Sequence, residues 1–185
     1  MLRNTASSYG RVSQGLHWLV MALVIGQIYL AVAAFRAMEP AREAGLLALH
    51  RPLGMTILGL MLARLAWRLM NVQPALVATL SGAQRGLART THWMLYALLL
   101  LIPLTGWVKA GADGVDLSYF GLFSVPHLAG PDAGLAKSLR MVHLYLNTAL
   151  LALVPVHVLA ALWHHFWRRD QTLRRMLPFA IKIKA

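Results

Sequence analysis

The chain has 185 residues, of which 58% are hydrophobic and only 13% charged, with a formal net charge of +12. A soluble domain of this size carries about 25% charged residues, so the whole of residues 1–185 reads as a single membrane-embedded domain with no second soluble module. Cysteine is absent, which excludes iron–sulfur clusters, thiolate zinc sites, covalently attached haem and disulfides.

The opening stretch Met1–Arg11 is polar and lacks the apolar core and cleavage site of a signal peptide, so the first apolar run is expected to stay in the membrane. A spanning helix needs ~20 mostly apolar residues. Four segments qualify, Leu16–Phe35, Leu46–Leu69, Leu87–Val108 and Leu139–Trp163. Asn71–Arg85, with Pro74, Ser81 and Gly82, and the Gly-, Asp- and Pro-rich Ala110–Lys137 read as loops. The expected fold is all-α, an integral membrane four-helix bundle.

Basic residues give the direction. Arg3, Arg11, Arg64, Arg68, Arg85, Arg89, Arg168, Arg169, Arg174, Arg175, Lys182 and Lys184 fall on one side. Arg36, Arg42, Arg51, Lys109, Lys137 and Arg140 fall on the other, with five of the six acids. Both termini are therefore expected in the cytoplasm of a multi-pass bacterial inner-membrane protein. Because the cations cluster at the ends of apolar segments, they match an anionic lipid surface and not nucleic acid.

An ionisable side chain inside a span is costly and marks function by default. His17 lies near the cytoplasmic start of the first span, and His50 about one turn inside the second. His143 lies one turn inside the fourth span, level with His50. His157 follows 14 residues later, ~21 Å deeper and on nearly the same helix face. Two imidazole pairs result, one per leaflet: His50 with His143, and His17 with His157. Facing helices can supply the two axial ligands of a haem iron, and with both positions filled the metal transfers electrons rather than activating oxygen. The expectation is a dihaem b-type cytochrome holding two haem b.

Secondary candidates surround these pairs. Gly54, one turn past His50, would let a porphyrin approach the backbone, and Pro155 would bend the fourth helix beside His157. His92 is close in depth to His17 and is either a competing ligand, a propionate partner or an interface histidine. Arg64 suits a haem propionate; snorkelling is the alternative for it and for Arg68. His164, two turns beyond His157, fits a quinone position or an interfacial role. Arg51, Arg140, Lys109 and Lys137 are either ordinary helix-end charges or an attraction for a small anionic reductant.

The segments LHWLVMALVIG, LHRPLGMTILGLMLARLAWRL, THWMLYALLLLIPLTGW and VHLYLNTALLALVPVHVLAALWHHFWRRDQTLRRMLP resemble the bacterial cytochrome b561 family, in order and over nearly the whole chain. Two motifs carry the likeness: His50-x-x-x-Gly54 followed by Arg64-Leu-x-Trp-Arg68, and His-His-Phe-x-x-Arg-Asp-x-Thr-Leu-x-Arg-Met-x-Pro from His164 to Pro178. This family is related to the cytochrome b subunits of nickel–iron hydrogenases and formate dehydrogenases. The resemblance implies ligands at His17, His50, His143 and His157, ubiquinone as the cytoplasmic acceptor near His164, and superoxide oxidation at the periplasmic face. Loop Ala110–Lys137 matches no particular member. Two alternatives stand beside this one: an electron-transfer adaptor for another redox protein, and a haem-free proton-coupled transporter, against which the lack of repeats argues.

Overall fold

A computed structural model describes residues 1–178; Lys182 and Lys184, counted in the charge asymmetry, lie outside the described residues. Four helices dominate: α1 (Arg11–Phe35), α2 (Pro40–Met70), α3 (Gly82–Ala112) and α4 (Ala133–Phe166). Each is long and apolar enough to cross a membrane. Every helix extends beyond the apolar run that announced it, because the helix signals sit in polar flanks. Pro40 opens α2, where its missing N–H costs nothing. Ser81 and Gln84 close a reciprocal capping box on α3. Asp132 Oδ1 accepts from the backbone N–H groups of Gly134 and Leu135 at the start of α4.

The loop before α4 is more ordered than its composition suggests. It holds a short antiparallel pair, β1 (Leu117–Tyr119) and β2 (Phe123–Val125). Leu117 and Val125 bury themselves with Ala110 of α3, against Met55 and Trp107. The Tyr119 hydroxyl lies 3.1 Å from Thr56 Oγ1 of α2, so the hairpin is pinned to the bundle.

The buried core is small, centred on Val20, Ile57, Met61 and Tyr96. Ile25, Tyr29, Leu151 and Leu159 are among many large apolar side chains left exposed on helix faces, which is what a bundle bathed in acyl chains requires. Packing is uneven. Backbones approach closely between α1 and α2, α2 and α3, and α3 and α4. Among the described residues no comparable approach joins α4 to α1 or α2.

At the terminal end, both ends of the described chain fold onto the bundle. The carbonyls of Met1 and Leu2 accept from the N–H groups of Arg11 and Val12 at the start of α1. A Cβ on Gly10 would stand 2.2 Å from the Leu2 carbonyl oxygen, so only glycine allows this return. After α4, residues 167–178 turn back. Trp18 Nε1 donates to the Met176 carbonyl at 2.7 Å and Gln14 Nε2 to that of Arg175 at 3.0 Å. Arg175 in turn donates to the carbonyl of Ala75 at 2.7 Å.

Candidate functional site

Three imidazoles converge across the gap between α1 and α4 near the terminal end. The ring centroids of His17 and His157 are 6.4 Å apart, with their planes at 68°. Those of His92, from α3, and His157 are 5.5 Å apart. Two imidazoles that each hold one metal at ~2 Å have centroids roughly 6 Å apart. The His17–His157 and His92–His157 separations fall on either side of that value, so His17 and His92 both stand within reach of a group held by His157.

Arg64 of α2 completes this cluster. Its Nη2 donates to His17 Nδ1 at 2.8 Å, and its guanidinium lies 5.4 Å from the Tyr96 ring centroid. Arg68 lies over the same ring at 5.6 Å. Among the described residues neither arginine has a carboxylate partner. The bond to His17 matters for ligation. A neutral imidazole accepting at Nδ1 carries its proton on Nε2, so His17 binds a metal through Nε2 only after Arg64 moves to another acceptor. A porphyrin carboxylate is such an acceptor, in bidentate geometry.

His50 and His143 are seated differently. Gln27 of α1 donates through Nε2 to His50 Nε2 at 3.1 Å and to the His50 carbonyl at 3.0 Å. His50 Nδ1 and Gln27 Oε1 are left buried without partners, each at a cost of about 1–3 kcal/mol. The space over Gly54, expected for a porphyrin, is occupied by this amide: a Cβ on Gly54 would stand 3.2 Å from Gln27 Nε2. His143 is already poised. Thr105 Oγ1 donates to the Ile102 carbonyl at 2.8 Å and lies 3.0 Å from His143 Nδ1.

These residues fit b-type haem. The donors are imidazoles carried on facing helices. Among the described residues no group of three His, Cys, Asp or Glu is arranged to hold a bare ion; a macrocycle that brings four nitrogens of its own needs only two. The orphaned atoms at His50 and Gln27 and the unpaired arginines mark places where a further group would satisfy the protein.

A third histidine feature lies at the α4 terminus. His164 Nδ1 donates to Asp170 Oδ2 at 2.5 Å, with both side chains nearly buried. Asp170 Oδ1 accepts from the Thr172 N–H at 2.8 Å. Arg169, with φ of 51°, makes the left-handed turn that returns Asp170 to the helix. Sequence reasoning found His164 but passed over Asp170, Gln27, Thr105 and Gly106. The side chains of Asp170, Gln27 and Thr105, and the missing side chain of Gly106, bear on histidines from other helices or from beyond a helix end, where periodicity carries no signal.

At the hairpin end, Lys109 is paired with Asp113 one turn on. Lys137 and Arg140 are exposed and line a shallow groove with Asp113 and Met141. Among the described residues neither joins an ion pair.

Four spanning helices with imidazoles facing one another inside define a membrane cytochrome, a class that carries electrons rather than solutes. The family model described as prokaryotic cytochrome b561 matches residues 8–179, and the chain belongs to that family. A probable superoxide oxidase, CybB, of Yersinia pestis is 34% identical over 92% of this chain and 96% of its own. Cytochrome b561 homolog 2 of Escherichia coli is 31% identical over 94% of this chain and 93% of its own. Cytochrome b562 of Cereibacter sphaeroides is 27% identical over 91% and 94%. Membership makes the chain a multi-pass bacterial inner-membrane electron-transport protein, an oxidoreductase whose family uses b-type haem. It sets aside the haem-free transporter.

Proposed function

We propose that the chain, acting as one domain, oxidises superoxide at its periplasmic face and reduces ubiquinone at its cytoplasmic face, with both termini cytoplasmic. The observation that carries this reading is the approach of the His17 and His157 rings, 6.4 Å between centroids, inside a bundle of four helices long and apolar enough to span a membrane. Two haem b groups, held by His50 with His143 and by His17 with His157, would supply one-electron carriage between the faces.

The residues divide the work. Lys137 and Arg140 draw a small anion to the hairpin end. Arg64, which donates to His17 Nδ1, would hold the carboxylate of a haem bound at this level. His164 keeps the proton on Nδ1 directed at Asp170, leaving Nε2 to exchange a proton with quinone. Two superoxide anions each lose one electron, and one quinone gains two electrons and two protons. The name of the relative from Yersinia pestis supports superoxide as the donor.

The test is direct. Superoxide should reduce the haem spectrum of the purified protein, and a soluble quinone should reoxidise it. A spectrum untouched by superoxide rejects this donor. One feature favours the adaptor reading instead: Phe120, Leu122 and Phe123 at the hairpin tip are 47%, 77% and 59% exposed, as a docking surface for a redox protein would be. Co-purification of a stoichiometric partner would favour it.

A further inference from the structure

Helix α3 contributes no expected ligand at the level of His143, yet two of its residues, Thr105 and Gly106, lie directly against that ring. Thr105 Oγ1 is 2.8 Å from the Ile102 carbonyl oxygen, which can only accept. The hydroxyl owns one proton, and that proton is committed to Ile102. At 3.0 Å from His143 Nδ1, the Thr105 oxygen is therefore an acceptor, and His143 Nδ1 carries the hydrogen. The tautomer is fixed by this chain: Nδ1 protonated, Nε2 with a free lone pair. The neighbouring residue makes room for the ring. A Cβ on Gly106 would stand 3.3 Å from His143 Cε1, closer than ordinary packing contact. From behind, Asn147 Nδ2 donates to the His143 carbonyl at 2.7 Å and braces the turn of α4 that carries the ring.

We propose that Thr105 is a positioning residue for the periplasmic haem: its hydroxyl, locked to the Ile102 carbonyl, orients His143 and strengthens it as an electron donor to iron. The inference rests on His143 being an axial ligand. A hydrogen bond from the outer ring nitrogen raises a ligand's basicity and fixes its orientation, and losing such a partner typically costs 10–100-fold in metal affinity. A more basic imidazole favours ferric over ferrous iron. Thr105 thus holds the potential of this haem below the value it would have with an unsupported imidazole. His17 and His50 lack this arrangement, since each of them accepts at the ring nitrogen contacted.

The experiment compares Thr105→Val, which keeps the shape and removes the acceptor, with Thr105→Ser, which keeps the acceptor. Full-length protein is purified, haem is quantified per chain, and both midpoint potentials are titrated anaerobically. For Thr105→Val the expected results are one potential shifted upward with the other unmoved, and haem loss to a scavenger about 10–100-fold faster from one site. Thr105→Ser should keep wild-type values. If Thr105→Val loses one haem outright while Thr105→Ser keeps two, the inference also stands. Two unshifted potentials in Thr105→Val, or a haem lost from Thr105→Ser as well, would overturn it while leaving the ligand assignment in place. A wild-type chain with fewer than two haems would instead remove the ligand assignment on which it rests.

Discussion

Asp170 reaches back around the end of α4 to accept a 2.5 Å hydrogen bond from His164 Nδ1. The bond joins the last turn of a spanning helix to the segment that covers the terminal face of the bundle. It therefore links the proposed quinone contact to the docking of residues 167–178. Replacing Asp170 by Asn removes the charge but keeps an acceptor. Quinone reduction should fall on the order of 10-fold or more, the scale of losing a positioned proton-handling group. Haem content and both potentials should be unchanged, as a steady-state assay beside a redox titration will reveal.

The same pair sets a pH dependence. Partial burial pushes the Asp170 carboxyl upward, but hydrogen bonds from Thr172 and His164 outweigh it, and the group is held below the ordinary carboxylate range. An acid whose folded value is depressed adds stability that is present above its unfolded value of ~3.9 and is lost as pH falls through the folded one. The docked segment should resist proteolysis from neutral pH down to about 4 and become cleavable only below that. Limited digestion at stepped pH with an acid-tolerant protease reads this out. Protection lost already near neutrality would contradict it.

His17 and His92 both approach His157, at 6.4 Å and 5.5 Å. Substituting leucine for His17 should halve the haem content, because one axial position is lost. His92→Gln should leave two haems per chain. Haem quantified by extraction from each variant separates the two histidines, and the reverse pattern would transfer the ligand role to His92.

Arg64 brings a cation without a carboxylate partner to the same level. A nearby positive charge disfavours ferric iron. Arg64→Met should lower one haem potential by tens of millivolts, the size of a charge–charge term at intermediate dielectric. Redox titration checks both the sign and the number of haems affected.

Much of this was legible in the chain, for reasons that differ by residue. The four spans follow from apolar length alone, which is why Leu16–Phe35 and its three counterparts fall inside the observed helices. The convergence of His17 with His157 follows from helix rise and angle, quantities that any straight helix obeys. Helix ends were less legible. Ala83–Gly86 and Ala133–Ser138 are helical because of Ser81 and Asp132, whose capping bonds outweigh a polar, glycine-bearing composition. The hairpin at Leu117–Val125 depends on burial against Met55 and Trp107, which only tertiary packing creates.

The site was half legible. A histidine in a span announces itself by its cost. Its partners do not: Gln27, Thr105 and Asp170 are ordinary polar residues until folding places them beside a ring from another segment. At Gly54 the spacing from His50 pointed to a close approach without naming the group, and the side chain that meets it in the structure is Gln27.

Every electron-transfer step proposed above needs two pairs of imidazoles, each holding one b-type haem, within a single chain. An oxidised-minus-reduced spectrum of the purified protein, with haem extracted and counted per polypeptide, decides whether both are there. Two haems per chain with low-spin bis-imidazole spectra are predicted. A colourless protein, or one haem per chain, would contradict it.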